Sequence, residues 1–95
     1  MKTKIPDIEF ILWHDTYTMG NKGWTYQDDV DEFSDGEMII ATVGFIYNET
    51  DDWLTLFGDY HNLGEEGFDP RYNRLLKIPK GCIIKRRKLR LKLKK

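Results

Sequence analysis

Hydrophobic and polar residues alternate with period two along much of this chain, and the longest apolar run, residues 37–49, frames the rest. Ile39, Ala41, Val43, Phe45 and Tyr47 share one parity, and Met38, Ile40, Thr42, Gly44 and Ile46 share the other. A strand apolar on both faces is expected to be covered on both, at least over part of its length. Gly44, which lacks a Cβ, marks where such a strand can bend or admit another backbone closely.

The other elements follow from the same pattern. Residues 7–14 read as a first strand, with Ile8, Phe10 and Leu12 on one face and Glu9, Ile11 and Trp13 on the other. A long connection, 15–36, carries Gly20, Gly23 and Gly36, and its residues 26–34 fit about two helical turns with Val30 and Phe33 on one side. Residues 48–52 suit a hairpin turn, 53–60 a partner strand, and 61–74 a second long loop. Residues 75–78 form a short strand, 79–81 a tight turn and 82–89 the last strand. Alternation then continues, with Leu89, Leu91 and Leu93 on the parity of Ile83 and Arg86, Lys88, Arg90, Lys92 and Lys94 on the other. That period favours an extended ribbon over a helix. The expected fold is mainly all-β: a small five-stranded barrel of the Src-homology-3-like kind, whose long first loop holds a short helix. A twisted two-layer antiparallel sheet is the alternative. Residues 1–88 make the single domain, and 89–95 a basic C-terminal tail or strand extension.

Charge changes this picture at one end. The net charge is only −1, yet residues 1–84 carry seven basic against sixteen acidic residues (−9), and residues 85–95 carry eight basic residues and no acid (+8). An acidic body with a basic tail points to docking or to phosphate contact. The chain has 95 residues, 40% hydrophobic and 14% aromatic, which suits one modest core. No apolar run approaches the ~20 residues that span a bilayer, and no secretory leader is visible. A lone cysteine, Cys82, fits a reducing cytosol and reads as a small buried hydrophobe.

Catalytic and metal patterns are weak. Asp28, Asp29, Asp31, Glu32, Asp35 and Glu37 suggest a calcium loop, but with Asp31 in the first position Phe33 falls third and Thr42 twelfth, where oxygen ligands are required. His14, His61 and Cys82 share no short spacing, so no zinc site is expected. Asp15 reads as a loop cap. Trp13 reads as a core lid, whereas for Trp24 and Tyr26 a core lid and an exposed aromatic platform stand equal. Neither an enzyme nor a cofactor is expected.

The series Trp13-x-Asp15, Trp24 after a glycine, Thr42-Val43-Gly44-Phe45-Ile46, and Ile78-Pro79-Lys80 followed by Ile83 resembles a group of small phage proteins of uncharacterised activity. Those share a Trp-x-Asp, Gly-Trp, Val-Gly-hydrophobic and Ile-Pro-Lys pattern. The resemblance spans about residues 8–84, implies phage or prophage origin and a host-cell cytoplasm, and transfers no catalytic residue.

Three functions stay open. The first is a non-enzymatic phage accessory protein that neutralises a host component, in one form by sequestering a small anionic nucleotide used as an immune signal. Trp24, Tyr26 or Tyr47 would stack on the base, and Arg86, Lys88 and Arg90 would meet phosphates, in a homo-oligomer whose subunits share the site. The second is nucleic-acid binding through the basic tail. The third is a protein-binding inhibitor module in which Asp28, Asp29 and Asp31 hold a basic partner.

Overall fold

The structure is a computed structural model and describes residues 5–18, 23–61, 66–67 and 69–91. Its elements are β1 (Ile8–Asp15), α1 (Gln27–Asp35), β2 (Met38–Glu49), β3 (Trp53–Phe57), β4 (Asp59–His61), β5 (Arg71–Asn73), β6 (Leu76–Pro79), a 3-10 turn (Lys80–Cys82) and β7 (Ile83–Leu89). Five strands form one antiparallel sheet in the order β6-β3-β2-β1-β7, and β4 and β5 form a separate hairpin. The expectation of a mainly β protein with a short helix in its first connection holds.

The long apolar strand is shared between two neighbours. Residues 38–45 of β2 pair with β1, from Asp15 opposite Met38 to Ile8 opposite Phe45. From Phe45 to Glu49 it pairs with β3 instead. The exchange falls beside Gly44, where an added Cβ would lie 3.3 Å from the Phe57 carbonyl oxygen and 3.4 Å from Leu56 Cβ. Glycine permits that approach of the β3 backbone.

The core is small. Ile11, Trp13, Leu54, Leu56 and Ile78 are buried together, with Ile40, Ile46, Leu76 and Ile83 packed around them. Trp13 is a core residue as expected, and its indole Nε1 donates to Thr42 Oγ1 at 3.0 Å. A second apolar centre is aromatic: Phe57 is buried among Phe45, Tyr47, Tyr60 and Tyr72, with ring centroids 4.9 to 6.3 Å apart. The Arg74 guanidinium clamps the hairpin beside it through Asp59, at 2.8 and 3.1 Å.

Several expectations are corrected. The strand over 53–60 breaks at Gly58 into β3 and β4, and part of the second long loop is β5, which pairs back onto β4. The last strand starts at Ile83 because residues 80–82 wind into a 3-10 turn, and Cys82 is half-buried rather than buried. The ribbon expected over 89–95 ends its ladder at Leu89; residues 92–95, Leu93 among them, lie outside the described residues.

Two further findings bear on function. The second face of the long strand is covered only in part: Phe45 packs against Phe57 and Tyr60, whereas Ile39 and Val43 are 48% and 59% exposed. In β7 the parity changes because Trp13 faces Ile83 while Leu12 faces Lys85, leaving Ile84 as an extra residue. Such a bulge reverses which side chains point inward. Ile83 joins the core, but Leu89 lies opposite Ile8 on the other face.

Candidate functional site

Three arrangements bear on what the protein can do. The first is a charge network on the inward side of β7. Arg86 lies opposite Ile11, and its guanidinium donates to both oxygens of Glu9 at 2.8 and 2.9 Å and to both oxygens of Glu49 at 3.0 and 2.9 Å. Glu49 is also paired with Lys80 at 2.6 Å. These partners hold the Glu49 carboxyl well below the carboxylate range, at about 2, chiefly through the hydrogen bonds from Arg86 and then Lys80. The same hydrogen bonds, Glu9 first and Glu49 second, raise the Arg86 pKa further. Arg86 is therefore engaged inside the protein, and using it for a ligand phosphate would strip Glu9, only 8% exposed, of its partner.

The second arrangement is an arm between β1 and β2. Trp24 is 102% exposed and Tyr26 84%, so neither closes a core as a lid. Helix α1 follows, with Asp28 and Asp29 in its first turn, where carboxylates suit the helix dipole, and no basic residue in its last. Asp28, Asp29 and Asp31 are all exposed. None of the helix residues is buried. Tyr26, Val30 and Phe33, at spacings of four and three, form one stripe. Phe33 stacks on Tyr17 at 4.9 Å, and Gly36 leaves room for that tyrosine, since a Cβ there would sit 2.5 Å from its ring. An isolated helix of nine residues falls below the ~12–15 that persist alone in water. Asp15 caps its own loop as expected, accepting from the Thr16 amide at 2.7 Å.

The third arrangement is the outward face of β2, β1 and β7. Val43, Phe10 and Arg87 stand in one row across it, and Ala41, Leu12 and Lys85 in the next. A shallow groove of about 590 Å³ runs along its β7 side, lined by Phe10, Lys85, Arg87, Lys88, Leu89 and Arg90. Lys88 is 3.4 Å from Asp7, whereas Lys85, Arg87 and Arg90 form no ion pair among the described residues.

The expected nucleotide site is thus not assembled within one chain. Trp24 and Tyr26 precede the end of β2 that pairs with Asp15, whereas Tyr47 lies two residues past the opposite end of that ladder, wedged against Tyr72 and Phe57. Arg86 points inward, and only Lys88 and Arg90 of the expected phosphate ligands reach the groove. Sequence reasoning missed Lys85, Arg87 and Phe10 as neighbours, because the bulge at Ile84 exchanges the two faces of β7. His14 and His61 are exposed, and among the described residues no His, Cys, Asp and Glu gather as metal ligands do. No described helix is long and apolar enough to cross a membrane. No family model, curated protein or solved structure matches the chain.

Proposed function

We propose that this chain is a non-enzymatic binding protein whose arm, residues 23–37, docks onto a basic, partly apolar protein surface. The observation that carries the reading is the fully exposed Trp24 at the root of an acidic helix none of whose residues is buried. Exposed tryptophans with a charged surround are the usual anchors of protein interfaces, and the acids would steer a basic partner into place. This is the protein-binding module among the three functions, and it agrees with a phage accessory role in a host cytoplasm.

The five-stranded sheet is, on this reading, a small open barrel of the Src-homology-3-like kind. Support comes from the strand order, from a central strand shared between two neighbours, and from the 3-10 turn before the last strand. The arm would then be the long first loop of that barrel. A second reading, capture of an anionic ligand or nucleic acid, draws support from the groove lined by Phe10, Lys85, Arg87 and Arg90.

A photo-crosslinking residue in place of Trp24 tests the first reading. Irradiation in the host should give a protein adduct through a lysine- or arginine-rich surface, and D28K/D29K/D31K should abolish it. An adduct indifferent to that reversal, or no protein adduct, would remove the proposal.

A further inference from the structure

We infer that the surface the arm fits is the outward β2-β1-β7 face of a second copy of this chain, so that two copies exchange arms. This rests on the docking role of the arm proposed above and names its partner. Both surfaces are unfinished in the single chain. The helix buries none of its own residues, and the sheet leaves Ile39, Val43 and Leu89 exposed beside half-buried Ile8, Phe10 and Leu12.

Their dimensions agree. A nine-residue helix is about 13.5 Å long and ~10 Å across. The strand segment from Ile8 to Leu12 runs about 14 Å, and three strands span ~10 Å between the outer two. The helix would cover that face along its length with the Tyr26, Val30 and Phe33 stripe turned inward. Trp24 would reach past its N-terminal end.

Their charges agree as well. The arm carries Asp28, Asp29, Asp31, Glu32, Asp35 and Glu37 and no basic residue from 23 to 37. The face is bordered along β7 by Lys85, Arg87 and Arg90, none of them in an ion pair among the described residues. No acid lies between residue 70 and the C-terminus, so the docked helix would meet no like charge from β7. An acidic amphipathic helix on an apolar sheet with a basic border satisfies both requirements at once. Because each copy owns one arm and one face, the arrangement closes on itself as a twofold pair. Setting the acids of one copy against Lys85, Arg87 and Arg90 of the other also fits a chain so unevenly charged yet near zero overall.

Sedimentation velocity on the full chain tests this. Wild type should sediment as a dimer. D28K/D29K/D31K and K85E/R87E should each sediment as monomers that still unfold cooperatively in urea, and an equimolar mixture of the two should return to the dimer mass. V43K, which places a charge at the centre of the face without touching the border, should also give a monomer. A monomeric wild type, a dimer in either reversed variant, or a mixture that stays monomeric would overturn the inference. The crosslinker at position 24 separates the two failures. An adduct to a different, basic protein with wild type monomeric would leave the docking arm standing and remove the second copy. No protein adduct would remove both.

Discussion

Arg86 and Glu9, 77 residues apart in the chain, form a two-pronged ion pair, Nε to Oε1 at 2.8 Å and Nη2 to Oε2 at 2.9 Å. The pair ties β7 to β1 on the core side, and Glu49 extends it to the far end of β2. A buried carboxylate is tolerable only when its partner is present. R86M should therefore cost about 3 kcal/mol in urea unfolding, lowering Tm by roughly 15 °C in a domain of this size. The double variant E9L/R86M should recover most of that loss, since it leaves no buried charge unpaired and Glu49 keeps Lys80.

Glu49 predicts a pH dependence. Its folded pKa, about 2, lies below the unfolded value near 4.5, so its contribution is complete above pH 4.5 and is lost as pH falls through about 2. The side chain is 36% exposed, and solvent screening reduces the expected contribution to about 1 kcal/mol. Unfolding free energy measured from pH 6 to pH 2 should decline less steeply in E49Q than in wild type. Parallel declines would contradict the assignment.

The hydrogen bond from Trp13 to Thr42 joins β1 to β2 within the core layer. T42V keeps the volume but leaves the indole N–H without its acceptor, at a cost of about 1 to 2 kcal/mol by urea titration. An unchanged midpoint would mean that the bond contributes nothing net.

Trp24 should behave in the opposite way to Trp13. Being fully exposed, its replacement by alanine should change the stability of the single chain by less than about 0.5 kcal/mol. W13A, which empties the core, should cost about 3 to 5 kcal/mol. A large stability loss in monomeric W24A would show that the arm packs on its own sheet.

Much of the framework was legible because it rests on period-two alternation: β1 and β2 fall within one residue of their expected bounds, as does the helix that begins at Gln27. The pattern was silent where a single residue changes the phase. The bulge at Ile84 carries no glycine or proline to announce it, yet it turns Arg86 inward and Lys85 and Arg87 outward, so of the expected phosphate ligands Arg86 was read on the wrong face. The three-residue strands β4 and β5 are too short to show any period. Charge count alone could not distinguish an arginine held by two carboxylates from one in open solvent. Burial of Trp13 was expected because large aromatics are usually buried, but Trp24 stands outside any periodic segment and its exposure had no such signal.

The emission of Trp24, taken as the difference between wild type and W24F over a dilution series, tests the docking of the arm most directly. A red-shifted, solvent-exposed indole in dilute monomer should move to the blue as concentration rises, with no such shift in K85E/R87E. Emission that stays red at every concentration, or is already blue in the dilute monomer, would contradict it.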